Sequence, residues 1–141
     1  MNYAMEQMTV SKRAFNHYQQ AMALFEELEE WEGLALCCLK IGIILFNQAD
    51  YKGALKAYQR GHEAAQQVGT ELIRANCLMN IGRVFEQWGE PERAMYYYKT
   101  ALTHFQQNFD TKGITQCVHN IDVCAAKLKW LPVEHEECAN V

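Results

Sequence analysis

Apolar and small residues recur along this chain with helical spacing, and the same pattern returns 40 residues later. Ala14, Tyr18 and Ala21 are separated by four and then three residues, which places them on one face of a helix. Residues of matching size stand at Ala54, Tyr58 and Gly61 and again at Ala94, Tyr98 and Ala101. A fixed period longer than one helix predicts a solenoid of repeated units.

A second set of columns with the same period marks another helix in each unit. Ile41 and Ile81 are followed by Gly42 and Gly82, and Asp122 is the third member of the glycine column. Glycine inside a helix costs about 1 kcal/mol relative to alanine, so we expect these glycines to permit a close approach between helices. We designate the helices of this second set A and those of the first set B.

Capping residues predict where the helices begin and end. Asp50 suits the N-cap of one B helix and Pro91 the first turn of the next, whereas Gly69 and Gly89 occupy positions where helices end. The predicted order is B (11–30), A (32–48), B (51–68), A (71–88), B (91–108) and A (111–129). The predicted fold class is therefore all-α, a helical-hairpin solenoid of about six antiparallel helices in which two full repeats are flanked by a B and an A helix.

Two short segments flank the predicted solenoid domain, which covers residues 11–129. Residues 1–10 form a short N-terminal segment that can contain part of a helix, and residues 130–141 form an acidic tail. The first B helix carries Phe15 and Met22 beside its repeat columns, so its apolar arc is wide. We expect this arc to be covered by the N-terminal segment or a second chain, or to mark a cut in a longer array.

Composition and charge exclude several classes of function. The chain has 141 residues and a net charge of −4, which argues against nucleic-acid binding because such proteins carry a basic face. Its longest apolar stretch, residues 33–46, is shorter than the roughly 20 residues that span a membrane, and the N-terminus lacks the features of a signal peptide. The six cysteines form no Cys-x-x-Cys pair, which favours reduced thiols and a cytoplasmic location.

The cysteines and histidines form no recognisable catalytic or metal-binding motif. Cys37, Cys77 and Cys117 occupy one column of successive units, so we interpret them as small buried packing residues rather than ligands of one metal. His135 and Cys138 lie in the acidic tail without a full ligand set. The sequence also lacks a glycine-rich phosphate loop and a His-Glu-x-x-His motif. We therefore predict no enzyme activity, no cofactor and no metal, and keep an enzyme that uses a cysteine or histidine as a further alternative.

The columns resemble those of the tetratricopeptide repeat (TPR) family, in which Leu-Gly and an aromatic residue on helix A precede Ala-x-x-x-aromatic on helix B. In the best-matching unit the corresponding residues are Leu78, Ile81, Gly82 and Phe85 on A and Ala94, Tyr98 and Ala101 on B. The resemblance covers about residues 11–129. The 40-residue period exceeds the usual length of about 34 and is similar to that of the Pins/LGN scaffold proteins and of kinesin light chain.

The resemblance implies a protein-interaction module that acts as a scaffold or adaptor and binds a partner peptide or protein in a concave groove lined by the A helices. The family's groove positions map onto Leu39, Lys40, Ile43, Asn47, Asn76, Met79, Asn80, Arg83, Gln87, Gln116, His119 and Asn120. In the Pins/LGN type, the asparagine that corresponds to Asn80 bonds the ligand backbone, and an amide suits this role because it offers both a donor and an acceptor. The clamp that some members use for a C-terminal carboxylate is not expected, since of its residues only Asn80 is present.

Two other interpretations stay open at the level of sequence. The mapped polar residues could be ordinary members of the solvated side of each helix. The chain could also self-associate as a homodimer or larger homo-oligomer, through its front end or through the apolar part of the groove. That part is formed by Leu36, Leu39, Ile43 and Phe46. Nucleic-acid and membrane partners are not expected.

Overall fold

The computed structural model describes residues 3–129, with side chains described from Met5 onward, and contains six helices and no strand in this range. The helices are α1 (Tyr3–Glu27), α2 (Trp31–Asn47), α3 (Tyr51–Val68), α4 (Glu71–Gln87), α5 (Pro91–Gln107) and α6 (Thr111–Lys129). The predicted all-α repeat fold is confirmed. Helices α2, α4 and α6 are the A helices, and α1, α3 and α5 are the B helices. The acidic tail, with His135 and Cys138, lies outside the described residues.

The five turns between helices share one geometry that recurs every 20 residues. Each turn contains one residue in the left-handed conformation, at Glu29, Ala49, Gly69, Gly89 and Phe109. In every turn the next backbone N–H donates to the carbonyl five residues earlier, over 2.8 to 3.1 Å. This is the Schellman arrangement, which satisfies carbonyls at the end of a helix. The 40-residue period is therefore two helix-and-turn units of equal length.

The starts of α3, α5 and α6 agree with the predicted capping residues, whereas Thr70, which the sequence also predicts as a cap, makes no side-chain hydrogen bond at the start of α4. The Asp50 carboxylate accepts a hydrogen bond from the backbone N–H of Gly53 over 3.0 Å, and Pro91 is the first residue of α5. Asp110 makes the equivalent bond at α6, accepting from the N–H of Gly113 over 3.3 Å. Each bond satisfies one of the unpaired donors at a helix N-terminus.

The first helix begins earlier than the repeat columns predict. They place its start near residue 11, but α1 runs without interruption from Tyr3. Thr9 and Val10, which stand 40 residues before the turn residues Ala49 and Asp50, are both helical. A β-branched residue disfavours the left-handed conformation, and Val10 lacks the capping oxygen that Asp50 supplies. No turn therefore interrupts α1 at this point.

Successive helices pack against one another in chain order, and the A helices also contact each other. Contacts join α2 to α4 and α4 to α6, whereas within the described residues the B helices make no comparable contacts with one another. The A helices therefore line the inner, concave side of the array and the B helices its outer side.

No helix in this part of the chain is both long and apolar enough to cross a membrane.

The core is built on contacts between the glycine column and the tyrosine column. Tyr58 and Tyr98 are fully buried at 0% exposure. A Cβ added to Gly82 would lie 2.7 Å from Cε1 of Tyr98, and a Cβ added to Gly42 would overlap the ring of Tyr58 in the same way. Each B-helix tyrosine thus lies directly on the backbone of its A helix. This confirms the close approach expected from glycine in mid-helix.

The two buried tyrosines differ at their hydroxyl groups. Tyr98 donates a hydrogen bond to Glu86 over 2.7 Å, and the Glu86 carboxylate also accepts one from Lys127 over 2.8 Å, so α4, α5 and α6 are joined. Burial alone would raise the pKa of Glu86, but the hydrogen bonds from Lys127 and Tyr98 and the charge of Lys127 outweigh it and hold the pKa below its usual value. The buried hydroxyl of Tyr58 has no hydrogen-bond partner among the described residues, because Phe46 stands at the repeat position of Glu86.

We expect Gly82→Ala to lower the free energy of unfolding by about 1–2 kcal/mol. An added Cβ at Gly82 would meet both the fully buried Tyr98 ring and the backbone carbonyl of Ala94. The overpacking should therefore cost about 2–3 kcal/mol, the upper part of the usual range, and the higher helix propensity of alanine offsets about 1 kcal/mol of this. Urea unfolding followed by circular dichroism measures the difference. Gln66→Ala, at an exposed position of α3, is the control and should change stability by less than about 0.5 kcal/mol. A Gly82→Ala protein as stable as wild type would contradict the close packing.

The tyrosine hydroxyls give a matched pair of substitutions. Tyr98→Phe removes a hydrogen bond to a charged acceptor and should destabilise the protein by about 1–3 kcal/mol. Tyr58→Phe removes a buried hydroxyl that has no partner, so it should be neutral or stabilising. Both are measured in the same unfolding experiment, and equal losses in the two variants would show that the bond to Glu86 adds no stability.

Candidate functional site

The concave side of the array carries a groove formed by two adjoining cavities. One has a volume of 490 Å³ and lies between α2, α4 and the start of α6, and the other has a volume of 480 Å³ and lies between α4 and α6. Met79, Arg83 and Gln116 line both cavities, so the two form one continuous surface, which we call the concave groove. Cavities of this size are typical of ligand sites.

Ten of the twelve residues mapped from the family pattern line the concave groove. They are Leu39, Lys40, Ile43, Asn76, Met79, Asn80, Arg83, Gln116, His119 and Asn120. The remaining two, Asn47 and Gln87, are not brought to it. They are the last residues of α2 and α4, and Asn47 lines a separate cavity of 430 Å³ between α1 and α2 instead. The groove ends before the ends of the helices, so the two terminal residues lie outside it.

Asn80 is a buried polar side chain in the wall of the groove. Its residue is 5% exposed, and its amide oxygen accepts a hydrogen bond from Arg83 over 3.4 Å. The amide nitrogen donates no hydrogen bond to the described residues. A buried amide normally satisfies both its donors and its acceptor. Asn80 therefore has an unused donor at the surface of a cavity.

Arg83 is held in place from two directions. Its guanidinium lies over the ring of Phe46 on the preceding A helix, with Cζ 4.6 Å from the ring centroid, and it donates to Asn80. Phe46 was expected to line the groove, but it lies under Arg83 and packs edge-on against Tyr51 at 5.1 Å between centroids. Arg83 makes no ion pair within the described residues. A guanidinium fixed in this way retains donors for a ligand at low entropic cost.

The other mapped polar residues differ in how much hydrogen-bonding capacity they retain. The amide nitrogen of Asn76 donates to the carbonyl of Leu72 one turn earlier, over 2.9 Å, which leaves its oxygen and one N–H for a ligand. Gln116 and His119 are exposed on α6, and Asn120 is half-buried beside them. The α6 side of the groove is accordingly its polar side.

The α2 side of the groove is apolar. Leu36 and Leu72 line the first cavity and are 44% and 42% exposed, which is unusual for leucine on a packed helix. Exposed apolar side chains that cluster around a cavity mark an interaction surface. Leu36 was expected in the apolar part of the groove, and the lining residues that were not predicted are Leu72, Ile73, Asp110, Lys112, Gly113 and Thr115. Most belong to the first turns of α4 and α6, and the 40-residue spacing of Leu72 and Lys112 was a signal available in the sequence.

The cysteines in the described part of the chain are buried and unpaired. Burial raises the pKa of Cys77 to about 12 and is the main cause that raises the pKa of Cys38, Cys117 and Cys124 to about 11. Such thiols are protonated at neutral pH and poor nucleophiles. No group of three or more metal-ligating side chains occurs among the described residues.

The sequence of the repeats matches a family model. The tetratricopeptide repeat model matches residues 34–107, which is more than half of the chain. The chain belongs to the tetratricopeptide repeat family. No curated protein matches the sequence of this TPR protein.

A solved structure shares the fold of this TPR protein. The apo form of RapI superposes with a TM-score of 0.80 and 22% identity, over 90% of this chain and 46% of the RapI chain. This TPR protein therefore spans about half the length of RapI. At this identity the similarity establishes the helical-repeat fold alone.

We expect the buried thiols of the TPR repeats to react slowly with Ellman's reagent at pH 7. A pKa raised from 9.0 to about 11 lowers the thiolate fraction about 100-fold, and burial blocks access as well. The Cys138→Ser variant should be used, so that the tail thiol does not contribute. Unfolding in urea should expose all five remaining thiols to rapid labelling. A thiol that reacts quickly in the native protein would contradict the expected slow labelling and would support the alternative of a cysteine-dependent enzyme.

Proposed function

We propose that this TPR protein is a scaffold or adaptor that binds a segment of another protein in its concave groove. The observation that carries the proposal is Asn80, a buried amide with an unused donor in the groove wall, adjacent to a fixed Arg83. The Asn80 amide lines the cavity, so a ligand carbonyl could accept a hydrogen bond from its nitrogen. This arrangement supports an extended or helical peptide as the occupant.

The two sides of the groove would contact different parts of the ligand. A ligand backbone would bond Asn80, while Gln116, His119 and Asn120 would supply further polar contacts along α6. An apolar ligand side chain would pack against Leu36 and its neighbours. An asparagine that bonds the ligand backbone would be similar to the site of the Pins/LGN type. The 40-residue period also resembles that type.

A second candidate function is self-association through α1. Ala14 and Tyr18 are only half-buried, whereas their counterparts Ala54 and Tyr58 are 0% exposed. A helix packed on this face would complete the burial, as neighbouring repeats do elsewhere in the array. The second helix could come from another copy of the chain.

We further propose that residues 11–129 form the functional domain, between the segments 1–10 and 130–141, and that the protein acts in the cytoplasm.

The double variant Asn80→Ala/Arg83→Ala should lose the partner that the wild-type chain captures. Removing the two polar contacts should weaken binding roughly tenfold or more, since interface residues of this kind each contribute about 1 kcal/mol or more. The measurement is a pull-down quantified by mass spectrometry, with far-UV circular dichroism confirming the fold of both baits.

Lys99→Ala/Gln106→Ala, at exposed positions of α5 on the outer side, is the matched control and should capture partners as the wild type does. Partners retained equally by the groove variant would contradict the proposal. Recovery of this chain alone, with a dimer seen by light scattering, would favour self-association through α1.

A further inference from the structure

We infer that the ligand of the concave groove is an acidic protein segment that contains a large apolar side chain. This inference rests on the proposed function and adds to it the chemical class of the partner. It follows from the sign of the charge in the groove, from the apolar wall at its α2 side, and from the positions of the charges around that wall.

The lining of the groove is net positive, whereas the whole protein is net negative. The whole protein has 17 acidic and 13 basic residues and a net charge of −4. In contrast, the lining of the groove contains the cations Lys40, Arg83 and Lys112 and a single carboxylate, Asp110. A region of opposite sign on an acidic protein attracts acidic partners and rejects basic ones.

The single carboxylate of the groove does not neutralise these cations. Asp110 accepts a hydrogen bond from the N–H of Gly113 and lies at the N-terminus of α6, where the helix dipole compensates its charge. Ion pairs elsewhere in the described residues engage several basic side chains, such as Arg60 with Glu26 and Lys127 with Glu86. They do not include Lys40, Arg83 or Lys112, which are therefore available for carboxylates of a ligand.

The apolar wall specifies the second feature of the ligand. Leu36 and Leu72 are exposed on α2 and α4, and they face the same 490 Å³ cavity as Ile73 and the two buried or half-buried residues Leu39 and Ile43. A leucine, isoleucine, phenylalanine or methionine side chain would cover this wall. Burying it would remove the exposed leucines from water, which favours binding.

The cations are placed on both sides of this wall. Lys40 belongs to α2 and Lys112 to α6, and these helices pack on opposite sides of α4. Arg83 on α4 lines both cavities of the groove. A ligand whose apolar residue sits in the first cavity would thus meet a cation in either direction along its chain. The expected motif is an apolar residue flanked by aspartate or glutamate.

The test is selection of ligands from a displayed library of random dodecapeptides against the wild-type chain. Recovered peptides are synthesised with a fluorescent label and their affinities measured by anisotropy at low and high salt. We expect the selected peptides to be net negative, to share one large apolar residue, and to bind more weakly at high salt.

The variant Lys40→Gln/Arg83→Gln/Lys112→Gln removes the three charges and leaves polar side chains that can still form hydrogen bonds. It should weaken binding about tenfold or more and flatten the salt dependence, because screening acts only on charge–charge attraction. The matched control is Lys52→Gln/Lys56→Gln/Lys99→Gln, which removes three exposed cations from α3 and α5 on the outer side and should bind as the wild type does.

The outcomes separate this inference from the proposed function. Selected peptides that are neutral or basic, yet lose binding in Asn80→Ala or Leu36→Ser, would overturn the acidic class and leave the groove as the binding site. Peptides that bind the charge variant as strongly as the wild type would also overturn the inference. Failure to recover any peptide that depends on groove residues would count against both.

Discussion

The packing of a B-helix tyrosine on an A-helix glycine is the contact on which the rest of the structure depends. It brings the two helices of a repeat together until the ring of Tyr58 or Tyr98 touches the backbone opposite it. The contact recurs in two successive units, and the A helices of neighbouring units meet, α2 with α4 and α4 with α6. The groove lies on the side where the A helices contact one another, and the B helices lie on the outside.

The last A helix lacks the glycine of its repeat column. Asp122 occupies that column and is exposed. Helix α6 packs on α5 through Gly113, where an added Cβ would overlap the ring of Phe105, and Lys127 joins α6 to Glu86 of α4. The polar wall of the groove is therefore held by an ion pair in addition to ring packing.

The repeat columns predicted the fold because burial acts on each column in the same way in every unit. The family resemblance, not the columns, implied which residues face the groove, and ten of these twelve residues line its cavities. Neither the columns nor the resemblance could predict the local partners of a side chain, such as Phe46 under Arg83, because these depend on the offset between neighbouring helices. The extent of α1 was missed because it depends on the absence of a turn at residues 9–10 rather than on a repeated feature. Leu72 and Lys112 lie outside the positions that the family pattern maps to the groove. They belong to the first turns of α4 and α6, and their place in the lining depends on how the neighbouring helices pack.

The regular turns also govern how such a chain can change in length. An α-helix advances about 100° per residue, so one residue inserted into α4 before Asn80 would rotate the groove-lining side chains away from the position fixed by the turns. The same insertion in a turn would disrupt the Schellman hydrogen bonds that recur every 20 residues. Duplication of a whole 40-residue unit avoids both problems, because it adds another A helix with the same face directed inward. Duplication of a unit would thus extend the binding surface without changing the existing turns or helix faces. The groove residues of the new unit could then change independently of the original ones.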